Sequence, residues 1–585
     1  MMPKSIACTA IVGVLSLVTS LPMAVAAPGK YTAAGAPSNP QVVVEWNKYY
    51  DHAQVTQIVQ QLAKAHPERC RLETLGKSHG GREMWLLTIT NFANKPPQHK
   101  PAFWIDGNIH ANEVQATEVA LYIAWYLLEM YGQSEFLSGL VDDKVFYVMP
   151  MMSPDGRDAH FYEPHTVHTP RTGMRPRDDD SDGLFDEDGP NDLDGDGHIT
   201  RMRVADPWGR WKPHAKYPDL LEECEPNERG SYTELRNEGF DADGDGEVNE
   251  DGPGFYDPNR QFPWSWEPNY VDRGDRYPLS VLENRMVAEA IMQRPHIAAA
   301  QSFHNTAGAI TRGPGNVDED YEDEDKQLFD SLMDSGVKLL PGYKAVKFGD
   351  HLYACYGCED DFFYYLMGSM CFVNELFTPY NFFHEPKDNG KSYFGTPAER
   401  FRLNEQILFG TGVVPWQLVE HPTFGSIEVG GLKKNWLRHP PSFLLEEECH
   451  RHMAFVLHHA DQMPLLDIND VRVVPRDDNT AEVFATIANR RMMPSRLAWS
   501  IKHSIHPPDR VTLSGDNLRV LAGFTADKPV GPYAAQQRKP QTLKFDAVPG
   551  MSARYVRWIV AGDGNYQITV SSTKGGTVTV PVTPK

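Results

Sequence analysis

Two short stretches of the 585-residue chain carry side chains able to hold a divalent cation. In "GNIHANE", residues 107–113, His110 and Glu113 stand three positions apart just after the apolar run "PAFWID". In "SFHN", residues 302–305, His304 follows a second apolar run. Two imidazoles and a carboxylate around an open position form the ligand set of a hydrolytic zinc, whose water needs a further carboxylate as base. HxxE alone does not decide the matter, because His160 and Glu163 repeat the spacing after no apolar strand.

A second group of oxygens lies in an acidic insertion at 176–253, where much of the net charge of -23 is concentrated. Asp178, Asp180 and Asp182, then Asp192, Asp194 and Asp196, then Asp241, Asp243 and Asp245, alternate along glycine-containing turns. Alternate carboxylates on a tight loop suit calcium in a structural role, and the loops resemble those of EF-hand, dockerin or thrombospondin type 3 proteins. Arg203 and Gly252 stand where such loops have their twelfth-position glutamate, and a solvated acidic insertion is the alternative. The segments "DGLFDEDGP" (182–190) and "DGEVNEDGP" (245–253) form a local repeat. So negative a chain is a poor partner for nucleic acid.

The elements that must position these groups can be read from periodicity. Runs near 84–90, 101–109, 144–152, 296–303 and 368–377 read as strands, and 281–294, 324–340 and 396–409 as helices. This alternation predicts an α/β fold with a mixed, largely parallel central sheet, whose ligands gather beyond the carboxyl ends of the strands. From 466 to 585 short β-rich runs separated by turns predict an all-β sandwich.

In order and mutual spacing, "GNIHANE", "SPDGRDA", "DPNRQFPW", "SFHN", "LYACYGCEDDF" and "FVNELF" resemble the zinc metallocarboxypeptidase family of the carboxypeptidase A/B type, in a secreted bacterial-type form, over roughly residues 45–420. The resemblance implies zinc on His110, Glu113 and His304, and Glu375 as general base. It also implies Asn259 and Arg260 as the clamp for a substrate's terminal carboxylate, and Tyr353 as the tyrosine that closes over it. Arg171, with Arg175 as runner-up, would be the oxyanion-stabilising arginine. Asp360 would lie at the base of the side-chain pocket and favour a basic terminal residue, or else serve as an acidic helix start. The implied activity is hydrolysis of the C-terminal peptide bond of peptides or proteins. Alternatives are a zinc amidase or peptidase acting on cell-wall peptides and a catalytically silent, calcium-stabilised binding protein.

Domain organisation follows. Residues 1–26, with Lys4, an apolar run and Ala24-Val25-Ala26, read as an export signal cleaved after Ala26, so the protein is expected to be secreted or periplasmic. Residues 27–42 read as a linker, 43–465 as the catalytic domain with its insertion, and 466–585 as the sandwich. No later segment has the roughly 20 apolar residues of a membrane span. Cys355 and Cys358 form a lone CxxC, read as a structural pair or free thiols. His450, His452, His458 and His459 fall on a helical stretch and read as part of a solvated face.

Overall fold

The computed structural model describes residues 34–178, 181–268, 275–377, 396–476, 479–562 and 564–582. The expected export signal and Asp180 lie outside the described residues.

Eight strands form the principal sheet: β1 (Cys70–Lys77), β2 (Glu83–Ile89), β3 (Ala102–Gly107), β4 (Val145–Met149), β5 (Ile297–Asn305), β6 (Ala309–Arg312), β7 (Lys344–Lys347) and β8 (Met370–Leu376). Their spatial order is β1-β2-β4-β3-β5-β8-β6-β7. The central four, β4, β3, β5 and β8, are mutually parallel, while β2 and β6 run antiparallel to the strands they flank. Each central strand is buried along its whole length. Their sequences are therefore mainly apolar or small rather than alternating, as expected where both faces are covered, with polar exceptions such as Asp106, Gln301, His304 and Glu375.

Helices α1 (His52–Ala65), α2 (Gln115–Glu129), α3 (Glu135–Asp143), α4 (Pro154–Tyr162), α5 (Leu282–Met292), α6 (Asp323–Gly336) and α7 (Ser442–Asp461) supply most of that cover. α1 begins at a capping box, Asp51 and Gln54 satisfying each other's backbone N–H groups. α2 is buried on all sides, which explains the apolar run Val119–Leu128 that makes up most of it. One core packs Val119, Phe303, Phe329 and Phe455 together, and a second holds Trp104, Val287, Ile291 and Phe362.

Two expectations change here. Residues 34–42 do not behave as a linker, because Glu129 accepts the backbone N–H groups of Gln41 and Val42 and Val42 enters the core. Nor is the histidine stretch of α7 a solvated face: His452 and His459 are fully buried. Burial keeps both rings neutral, and they pack edge-on against Phe303 and Phe372 with polar contacts to Tyr343 and Gln301.

The acidic insertion folds as β-structure. Its strands Arg201–Ala205, Trp211–Pro213, Leu221–Glu223 and Tyr232–Asn237 join the hairpin Val413–His421/Gly425–Leu432 in one six-stranded sheet. After α7, a five-stranded and a four-stranded antiparallel sheet enclose a shared core of Val483, Leu513, Trp558 and Ile568, giving the sandwich. Lys574 of the sandwich reaches the Ile297 carbonyl at 2.5 Å and the Ser369 hydroxyl at 2.9 Å, at the amino ends of β5 and β8. The sandwich thus docks at the end of the sheet opposite His304.

Candidate metal centre

β3 ends at Gly107, and Asn108 takes a left-handed turn with φ of 59°. Its side-chain amide donates to the carbonyls of His110 (2.8 Å) and Ala111 (2.9 Å). The loop is thereby curled so that His110 and Glu113 face the same point before α2 begins. From the end of β5, His304 completes the group: its Nδ1 lies 3.1 Å from Glu113 Oε2 and 3.2 Å from His110 Nδ1, and His110 Nδ1 is 3.0 Å from Glu113 Oε1. Sheet register delivers the fourth residue, because Glu375 on β8 is the direct neighbour of His304 on β5.

The three ligand atoms lie within 4.8 Å of one another and all three residues are buried. Two imidazole nitrogens turned on a single carboxylate in a buried pocket match the His₂Glu set of a hydrolytic zinc, so these residues fit the ion. Asp257 faces the other nitrogen of His110, Nε2, at 3.0 Å. A carboxylate there favours the ring proton on Nε2, which leaves Nδ1 free to ligate, while the Arg171 guanidinium 2.7 Å from the same nitrogen opposes it.

Charge in the pocket is set by burial and a few partners. Burial pushes the Glu113 carboxyl up, but His110 and His304 outweigh it and hold it well below the usual range. Burial lowers His110, and the Arg171 guanidinium adds to that effect. Glu375 is pushed up to about 7, by burial first and then by repulsion from Glu113, against the pull of His304, Arg438 and Arg171.

The other expected site residues are distributed as follows. Arg171 lies 2.7 Å from His110 Nε2 and pairs with Asp257 at 2.8 Å, whereas Arg175 pairs with Asp275 and stacks on Tyr256. Asn259 and Arg260 sit in a short turn capped by Asp257, and both are buried. Asn259 Oδ1 accepts the backbone N–H of Glu359, and the Arg260 guanidinium lies 5.8 Å from the ring of Tyr353, itself 45% exposed. Asp360 is buried in the first turn of a helical segment after Cys358, where burial raises its carboxyl. The thiols of Cys355 and Cys358 lie side by side, 2.7 Å apart, next to that turn.

Two residues had no signal in the spacing alone. Asp257 joins His110 to Arg171, and lies 4.0 Å from Arg260. Arg438 donates to Glu113 at 2.9 Å and to the Asn305 carbonyl at 2.6 Å from a distant part of the chain. The "DPNR" order could have pointed to the first; nothing local marks the second.

Gly156, in "SPDGRDA", shows why that stretch is built as it is. A Cβ there would lie 1.8 Å from the Thr172 carbonyl oxygen and 2.6 Å from Ala111 Cβ. α4 thus wedges between the metal loop and the Arg171 segment, with Ala111 N donating to Arg171 O at 2.6 Å. Gly156→Ala is expected to cost about 3 kcal/mol or more, because backbone must move. A denaturant midpoint within the error of wild type would contradict this.

In the acidic insertion, the DxDxDG turns largely satisfy themselves. Asp192 accepts the N–H groups of Gly195, Asp196 and Gly197; Asp241 accepts those of Gly244 and Gly246; Asp178 accepts those of Ser181 and Gly183. Asp194 and Asp192 approach Glu238, Asp241 approaches Asp243 and Asp245, and Asp182 approaches Glu187 and Asp243, each set within 4.8 Å. Asp196 caps His198 N at 2.8 Å.

Residues 55–188, which include His110 and Glu113, match the family model described as zinc carboxypeptidase, and residues 465–583 match a domain of unknown function, DUF8731. The chain is 34% identical over 113 residues to carboxypeptidase B of Astacus astacus, covering 19% of this chain and 35% of that protein. It is 35% identical over 130 residues to metallocarboxypeptidase A of Trichophyton tonsurans, covering 22% and 28% respectively. With carboxypeptidase D of Rattus norvegicus it shares 30% over 135 residues, 23% of this chain and 10% of that protein. The chain therefore spans about a third or less of the length of these curated relatives. Among solved structures, thrombin activatable fibrinolysis inhibitor aligns at a TM-score of 0.42 and 15% identity over 72% of this chain and 76% of the other. Over residues 55–188, the chain is thus similar to the zinc carboxypeptidase family.

Proposed function

We propose that the protein is a zinc-dependent exopeptidase that removes the C-terminal residue of peptides or proteins. One observation carries this reading: Asp257 Oδ1 lies 3.0 Å from His110 Nε2 and 4.0 Å from Arg260, and its Oδ2 lies 2.8 Å from Arg171. The guanidinium suited to a terminal carboxylate is thereby held close to the metal side. In a C-terminal substrate the scissile carbonyl and the terminal carboxylate are one residue apart, a Cα spacing of about 3.8 Å. A clamp set far from the metal would not fit that substrate.

Arg260 and Asn259 would bind the terminal carboxylate, a planar anion suited to a guanidinium fork. Tyr353 would close over it from the surface. Zinc on His110, Glu113 and His304 would polarise the scissile carbonyl and acidify the attacking water. Glu375 would take that water's proton and pass it to the leaving amine, while Arg171 stabilises the developing oxyanion. Burial and the charge of Glu113 set Glu375 at about 7 in the protein alone, and a nearby cation lowers it. The base works deprotonated, so kcat/KM is expected to fall as pH drops, with an acid-side half-point at or below about 7. A half-point clearly above 7 would rule out Glu375 as the group that titrates.

Asp360 supports a preference for basic terminal residues, since a buried carboxylate near the carboxylate clamp would pair with a Lys or Arg side chain. With a panel of peptides ending in Lys, Arg, Phe or D-Ala, followed by mass spectrometry with and without a zinc chelator, wild type is expected to release single terminal residues, Lys and Arg fastest. Asp360→Ser is expected to cut kcat/KM for Lys by about 100-fold while Phe changes little, equivalent to about 2.7 kcal/mol of lost pairing. Equal losses for Lys and Phe would assign Asp360 to the helix start instead. Internal cleavage, or no chelator-sensitive cleavage, would overturn the exopeptidase reading. Lys4 and the small-residue site ending at Ala26 support export, and the acidic insertion supports calcium in a structural role. No helix among the described residues is long and apolar enough to cross a membrane.

A further inference from the structure

The two copies of the internal repeat meet face to face. Asp188 of the first donates its backbone N–H to the carbonyl of Asp251 in the second at 3.2 Å, and the pair forms an antiparallel bridge. At that junction a carboxylate oxygen each from Asp188, Asp243 and Glu250 lie within 4.8 Å of one another. Asp188 is fully buried, and neither its oxygens nor those of Glu250 receive a hydrogen bond. The DxDxDG turns described above differ in this respect, since their leading aspartates are occupied by backbone N–H groups of the same turn.

We propose that Asp188, Asp243 and Glu250 hold a divalent cation, calcium by the oxygen-only character of the donors, which clasps the two repeats together. A buried carboxylate such as Asp188, without donors and beside the partly exposed Glu250 and the exposed Asp243, is unfavourable, and a hard cation with several open coordination positions relieves it. Burial and the neighbouring Asp188 raise Glu250 to about 7, in keeping with carboxylates forced together.

The position of the clasp gives it a role. Just beyond Asp251, the Gly254 carbonyl accepts the backbone N–H of Arg171 at 2.6 Å, and Asp257 follows three residues later. On the other repeat, Arg177 and Asp186 are joined through the backbone at 3.1 Å. The cation would therefore fix both chain segments on which Arg171 and Arg260 stand, and would be a positioning element for the substrate clamp rather than part of the chemistry.

This proposal deepens the calcium reading of the insertion and rests on it, so the test separates the two. Full-length protein, loaded with zinc and stripped of calcium on a chelating resin, is dialysed against buffered calcium. Bound metal is counted by mass spectrometry, and thermal midpoints are measured with and without calcium. Two double variants are compared: Asp188→Asn with Glu250→Gln at the clasp, and Asp192→Asn with Asp194→Asn in a turn. The clasp variant is expected to bind one calcium fewer than wild type. It should be at least as stable as wild type without calcium, because a buried repulsion is gone, and less stable than wild type with it. Wild type binding no calcium would overturn both readings. Calcium lost only in the turn variant would leave the calcium reading standing and remove the clasp. Should the clasp double variant fail to accumulate, the single Glu250→Gln, at a partly exposed position, gives the same readout.

Discussion

Glu375→Gln is expected to lower kcat on a C-terminal peptide by about 10³-fold or more, with zinc content unchanged. Glutamine fills the same space and keeps a hydrogen-bonding oxygen, but it cannot take the proton from water or return one to the leaving amine. Glu375 is not one of the three ligand residues, so metal analysis should give one zinc in both proteins. Stability provides an internal control. Burial and Glu113 raise the carboxyl to about 7, so above that pH the folded protein carries a charge there that costs stability relative to the unfolded chain. The variant should thus be at least as stable as metal-free wild type at pH 8. Retention of a tenth or more of wild-type kcat would transfer the proton-moving role to another group.

The second large effect concerns the metal itself. His304→Ala leaves two of three ligands and is expected to lose both zinc and activity. Zinc added to stripped wild type should raise the thermal midpoint, since a ligand at 1,000 times its Kd contributes about 4.1 kcal/mol to the folded state. No such rise should appear in His304→Ala. Asp257→Asn probes the support of the same ring: it retains an acceptor for His110 Nε2 but removes the charge that also holds Arg171, and should weaken zinc by about 10- to 100-fold. Zinc binding by His304→Ala with wild-type affinity would mean that the ion sits elsewhere.

How much of this was legible in the sequence depends on how locally each feature is encoded. His110 and Glu113 share one loop, and the apolar runs before them and before His304 mark central strands, so the mixed α/β fold and the grouping of these three residues could be read directly. Glu375 came only through the resemblance carried by FVNELF, and its place beside His304 becomes visible once β5 and β8 are neighbours. Arg438 could not be found, because it meets Glu113 across 325 residues with no motif around it. The α7 histidines were misread for the opposite reason. Histidine is polar in composition, but two neutral rings among Phe303, Phe372 and Phe455 bury as readily as an aromatic residue does. The acidic repeat was visible as sequence, yet only the fold shows that its copies face each other through Asp188 and Asp251.

The sheet of the acidic insertion has a consequence for how the molecule is made. Its strand Arg201–Ala205 pairs with Gly425–Leu432, and Arg203 meets Glu428 across 225 residues of chain. During synthesis the insertion emerges long before the hairpin that completes its core of Met202, Val248, Ile427 and Val429. So non-local a closure is slow, and the early segment must wait with an open edge. Excising 176–253 would likewise strand the hairpin, so this segment matures with the whole chain and is not a detachable module.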